Sequence, residues 1–282
     1  MEAHRYSQEM NMRLFVTIGL LVTMLTLLLW GNTSAIAGVL SDRLAQFPNW
    51  ESKPLVEVAK GDLVYPQWMA GTWQVSSTLV DLVAPLSPQL VTPGFESNRQ
   101  YLNEPVSFLV KFGQPTYRIN RSPIGFFPIF SIKQDKKDKN LVVADRAFNG
   151  LHIAQAYLGD DAIVSVKVDP ENPNRQITGL RGDRQLISVV TGRLSEKNTV
   201  DAFVATEITQ QIFRGTTDIY LNEVETTTHY QLKKSGAIAA DQITAIYLSP
   251  QDPDYFTAAG HPVALYRYQL ELLPVSEMAS DR

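Results

Sequence analysis

From Tyr65 almost to the C-terminus, strand-like runs are separated by turn residues at intervals too short to hold a crossover helix. Parallel strands need a connection of about a dozen residues or more. The sheet these runs build must therefore be mostly antiparallel. The runs are Thr72–Leu82, Val106–Phe112, Phe126–Gln134, Leu141–Ala147, Ile163–Val168, Arg175–Leu180, Gln185–Thr191, Ala202–Phe213, Asp218–Leu232, Ile243–Leu248 and Val263–Leu272. Between them lie Gly113-Gln114-Pro115, Asp169–Pro173, Arg181-Gly182-Asp183, Ser235-Gly236 and Asp252-Pro253-Asp254, the residues that tight turns favour. In Val106–Phe112 the apolar side chains of Val106, Phe108, Val110 and Phe112 fall on one face, as a half-buried strand requires.

One interior segment breaks the strand pattern. Leu151, Ala154 and Leu158 recur at helical spacing, with Asn149 placed to cap the start and Gly159 to close the end. A helix of that length is suited to cover an open end of a sheet. Residues 65–275 read as a single β-rich domain, a size within range for one barrel or sandwich. Residues 38–64 form a lead-in that lies against the domain, with a short helix within Leu40–Phe47. Residues 276–282 are a frayed tail.

Ahead of this comes a polar start with Arg5 and Arg13, the uncharged run Leu14–Trp30, and Ala35-Ile36-Ala37. Charged start, apolar middle and small-x-small ending make a secretory signal, cleaved after Ala37. The competing reading is a retained anchor, because the run reaches the short end of what spans a bilayer. Both readings export residues 38–282.

The chain has no cysteine and a formal net charge of −4. Thiol catalysis, Cys-ligated zinc and iron–sulfur clusters are thereby excluded, and no disulfide can staple the fold. No basic stripe interleaved with aromatics appears, so nucleic acid is not an expected partner. The dense run Lys133–Lys139 mixes both signs and reads as a solvated hairpin loop.

Chemistry candidates are few. No nucleophilic elbow, phosphate loop or dinucleotide fingerprint occurs, no two histidines stand at metal-ligand spacing, and no cofactor is indicated. His229, on the strand face opposite Tyr220, Val224 and Tyr230, is a candidate ligand or pH-sensing residue if its face lines an interior. Asp145-Arg146 and Arg99 place charge within apolar surroundings. A charge in a buried strand needs a partner, so these residues make either a structural network or an Arg fork for a ligand's carboxylate or phosphate. Arg175, Arg181 and Arg184 would add to such a fork if their turn folds over it. Glu223 and Glu225 share a strand face about 7 Å apart and read as solvated.

The first strong strand opens with Gly71-Thr72-Trp73 and the last contains Tyr266-Arg267-Tyr268. This resembles the lipocalin-like barrels, in which a Trp closes one barrel end and an Arg of the final strand stacks over it. The resemblance implies Trp73 and Arg267 as that structural pair. It also implies a mainly β fold: an antiparallel, calycin-type barrel or a strongly curved sheet with one short helix. The segments Tyr65–Trp73, Thr92–Phe95, Val143–Gly150, Asn174–Thr178 and Leu180–Leu186 resemble a domain family of unknown function shared by cyanobacteria and plant plastids. That likeness implies a thylakoid-lumen or periplasmic address. The expected function is a binding protein for an apolar or amphipathic ligand such as a lipid, carotenoid or tetrapyrrole, with Arg99, Asp145, Arg146, Arg184 and His229 as candidate ligand contacts. The alternative is a non-enzymatic assembly factor for a membrane complex, with the sheet face as its contact surface. An enzyme ranks below both, because no nucleophile–base pair is visible.

Overall fold

The computed structural model describes residues 38–92, 94–115, 141–197, 199–215 and 219–275. The expected signal or anchor segment, the expected strand Phe126–Gln134, the charged run Lys133–Lys139 and the tail lie outside these residues. Among the described residues no helix is long and apolar enough to cross a membrane.

The chain runs α1 (Val39–Ala45), β1 (Glu57–Val58), β2 (Gly71–Val83), β3 (Pro105–Gly113), β4 (Val143–Ala144), α2 (Arg146–Leu158), β5 (Ile163–Val168), β6 (Arg175–Leu180), β7 (Arg184–Glu196), β8 (Ala202–Arg214), β9 (Ile219–Leu232), β10 (Ile238–Leu248), α3 (Tyr255–Ala258) and β11 (Ala264–Pro274). Among the described residues every strand pair is antiparallel, as the turn spacing demands. The order β4-β3-β2-β11-β10-β9-β8-β7-β6-β5 is one continuous path, and β1 pairs with β7 beside it. The sheet curls strongly into a half-barrel, so of the two expected forms the curved sheet is the one adopted.

Helix α2 packs on β3 at one end of this path and on β5 and β6 at the other. It spans the opening that a closed barrel would seal with hydrogen bonds. The sequence expectation of a helix across the sheet is met, with its start displaced. Asp145 is the N-cap, its carboxylate accepting from the Phe148 N–H at 3.1 Å. Asn149 therefore lies inside the helix, and the expected strand Leu141–Ala147 shrinks to Val143–Ala144. Gly159, at φ 84°, ends the helix.

Alternation gives the sheet two apolar faces. The inner face packs Trp73, Val75, Val110, Phe112, Phe203, Ile238 and Leu272 together. Fully burying a side chain of this size stabilises by about 1.5–3 kcal/mol. The outer face carries Val204, Ile243, Ala245, Tyr247 and Leu265, and Leu40, Leu44 and Trp50 of the lead-in cover it. The next stretch reaches β7, where Gly192 sits at a bulge. A Cβ there would lie 2.5 Å from the Val56 Cγ2, so only glycine lets β1 approach.

The lipocalin-like pairing of Trp73 with Arg267 is not formed. Trp73 stands opposite Pro274 in the register, whereas Arg267 stands opposite Asp81. At about 3.4 Å per residue the two are over 20 Å apart along the sheet. They also point to opposite faces. Trp73 is buried inside, its indole N–H donating to the Met69 carbonyl at 2.9 Å. Arg267 faces outward, binds Asp241 at 2.7 Å and stacks 5.6 Å from the Phe47 ring. The cation–π partner of Arg267 is thus supplied by the lead-in.

Candidate functional site

Beneath α2, the described residues leave space over the inner face of the sheet. Two rows of the helix border it at i, i+4 and i+8 spacing: Asn149, Ile153 and Tyr157, and beside them Gly150, Ala154 and the largely exposed Leu158. Both rows line a cavity of about 560 Å³ against β6, β7 and β8, where Gln176, Thr178, Ser188, Gln211 and Phe213 form the far wall. The first row also lines an adjoining cavity of about 300 Å³. Its walls are mostly apolar, with Val75, Phe108, Val110, Leu270 and Leu272 facing Tyr157 and Tyr230. Tyr65 and Ala144 belong to both.

The helix is held over these spaces by the edge of β3 just beyond its short pairing with β4. An edge strand leaves backbone groups that need partners. The Asn149 Oδ1 accepts from the Lys111 N–H at 2.6 Å, and the Asn149 Nδ2 and the Asp145 N–H both donate to the Lys111 carbonyl. On the other side Gly150 admits the Gln176 amide, which would lie 2.6 Å from a Cβ at that position.

At the mouth of the larger cavity sits a charged network. The Arg146 Nη2 lies 2.9 Å from Glu207 Oε1, and the Arg193 Nη2 lies 2.9 Å from the same oxygen. The Arg146 Nε is 3.8 Å from Asp62 Oδ1. Arg193 also donates to the Gly61 carbonyl and to Asn174 Oδ1, while its buried Nε has no hydrogen-bond partner. The fork that Arg146 presents thus already holds a carboxylate of the chain itself. Around the interior, burial pushes the Tyr65 hydroxyl well above its ordinary value and that of Tyr230 up to about 12. Burial likewise raises Tyr157. These phenols are neutral donors and acceptors at physiological pH.

Of the residues expected from sequence, Arg146 lines the cavity and Asp145 caps the helix that roofs it. The others stand elsewhere. Arg99 is exposed, pairs with Glu96 at 2.6 Å and leans over Phe95. Arg184 is exposed at the β6–β7 turn, its Nε donating to the Arg181 carbonyl. Arg175 and Arg181 pair with Asp169 and Asp161. The turn does not fold over Arg146. His229 stands opposite Asp241 and Val204 in the register, on the outer face, in an open groove with Gln231 and Lys233. The interior belongs to its neighbour Tyr230. Glu225, expected to be solvated, is fully buried against Arg43.

Sequence reasoning passes over Tyr65, Asn149, Tyr157, Gln176 and Glu207 as site residues. Glu207 carries a usable signal, because it stands within the strand Ala202–Phe213 among apolar residues, the same rule that singles out Arg146. Among the described residues no group of three or more His, Asp or Glu side chains could hold a metal ion.

A family model described as a domain of unknown function (DUF6816) matches residues 57–276. No curated protein and no solved structure matches the chain.

Proposed function

The chain belongs to the DUF6816 family, and we propose that it is an exported binding protein which holds an apolar or amphipathic small molecule beneath α2. The observation that carries this reading is the pair of adjoining cavities of about 560 and 300 Å³, within the range that small-molecule sites occupy. Their composition fits the same reading. The smaller offers aliphatic and aromatic walls, and the larger adds Gln176, Ser188 and Gln211 as convergent polar groups. A molecule such as a lipid, carotenoid or tetrapyrrole presents both kinds of surface. The export expected from the N-terminal segment, and the lumenal or periplasmic address that the family resemblance implies, belong to this proposal. An assembly factor that offers its sheet face finds the outer face of β8, β10 and β11 already taken by Leu40, Leu44 and Trp50.

The test is to fill the space. Ile153 lines both cavities and is partly exposed on α2, so Ile153→Trp adds bulk where the ligand would lie. Binding of diphenylhexatriene, a neutral apolar fluorophore, is expected to saturate with the full-length chain. It should weaken by about tenfold or more in the variant, with circular dichroism unchanged. Equal binding by both proteins would place the fluorophore elsewhere and end the proposal.

A further inference from the structure

We propose that the molecule held beneath α2 carries an uncharged polar end, a hydroxyl or carbonyl, and that the cavity rejects the corresponding carboxylate. This rests on the binding role proposed above and names the chemical class that the site takes. The charged residues lining the two cavities are Asp62, Arg146 and Glu207, all on the larger one. Arg193 joins them through Glu207. Two guanidinium groups thus face two carboxylates, and among the described residues the site is balanced. The Arg146 guanidinium is bound to Glu207 and approached by Asp62, and Arg193 is occupied by Glu207, Asn174 and the Gly61 carbonyl. Among the described residues an entering carboxylate meets no cation without a carboxylate already beside it. It would lose its water and gain no charge partner, which strongly disfavours the ionised form.

The uncharged groups point the other way. Gln176 and Gln211 each present an amide that both donates and accepts, and Ser188 and Thr178 present hydroxyls. The Tyr157 and Tyr65 phenols remain protonated because burial disfavours their charge. Such a set satisfies a hydroxyl or carbonyl in either hydrogen-bonding role. The hydrocarbon part fits the smaller cavity, whose lining includes no charged residue among the described residues.

The experiment compares dodecanol with dodecanoate as displacers of diphenylhexatriene from the full-length chain at neutral pH. Dodecanol is expected to act at a concentration lower by about tenfold or more. Glu207→Gln leaves an excess positive charge and should reverse the order, drawing dodecanoate in. The double variant Arg146→Gln with Glu207→Gln restores the balance and should restore the preference for the alcohol. It also controls for any loosening caused by either change alone. Equal or stronger displacement by dodecanoate from the natural chain would overturn the inference while leaving a binding role intact, as would a Glu207→Gln chain that keeps the order. If diphenylhexatriene itself does not bind, the binding role fails and the inference falls with it.

Discussion

Glu225 shows how a single residue's environment is set far away in the sequence. Its alternation with Glu223 along β9 suggests a solvated face, and nothing local contradicts that. What covers the face is Arg43, 182 positions earlier, whose Nε and Nη2 reach the two Glu225 oxygens at 2.6 and 2.7 Å. The Tyr247 hydroxyl and Thr227 donate to the same carboxylate, and Trp50 stacks on the guanidinium at 4.0 Å. The lead-in is thus clamped by a buried ion pair that strand periodicity could not disclose. Removing one partner of such a pair strands the other without solvent, at a cost of about 3–5 kcal/mol. Arg43→Ala is expected to lower the unfolding free energy by that amount in urea titrations. Replacing both ends, Arg43→Met with Glu225→Leu, should recover more than half of the loss, because desolvation of both charges is then avoided. A loss below about 1 kcal/mol for Arg43→Ala would mean that water reaches Glu225 and that the clamp is weak.

Elements are more legible than their ends. The strands from β5 through β11 pair in sequence order, each with the next, so turn chemistry alone places them. The start of α2 is harder to place, since Asp145 and Asn149 are both good cap residues and the run Leu141–Ala144 ahead of them also reads as a strand. In the folded chain the two residues do different things. Asp145 caps the helix, and Asn149 pins it to the β3 edge through Lys111. Loss of an N-cap costs about 1 kcal/mol. Asp145→Ala should therefore speed hydrogen exchange in α2 by roughly fivefold, while the amides of β8, β9 and β10 keep their protection. Uniform acceleration across the sheet would show instead that α2 and the sheet unfold as one unit, and that the helix is no separate roof over the cavity.

At the scale of the whole molecule, antiparallel pairing and a covering helix can be read from spacing. The pairing of β11 with β2, which brings the two ends of the domain together, cannot, since no local signal encodes it. The curl that results wraps the inner face around Tyr65 and Tyr230, whose rings sit 6.3 Å apart beside Phe203. This burial couples the fold to alkaline pH. The ordinary phenol value is 10.0, and in the folded chain burial moves Tyr230 to about 12 and pushes Tyr65 well above its usual range. Tyr247 is raised as well, first by burial and then by the Glu225 charge. Below pH 10 these phenols are protonated whether the chain is folded or not, and their contribution to stability is fully present. Above pH 10 the unfolded chain releases the protons first, so stability must fall as pH rises toward the folded values. The urea midpoint is therefore expected to hold below pH 10 and to decline steadily between 10 and about 12. Tyrosinate absorbance should show a late group that appears only as the protein unfolds. Tyr65→Phe with Tyr230→Phe should make the decline shallower, because phenylalanine has no proton to lose, while Tyr247 and Tyr268, also raised by burial, keep the remainder of it. If all 11 tyrosines instead titrate near 10 while the midpoint stays fixed, the interior is open to water, and a curled sheet sealed by α2 is the wrong description of it.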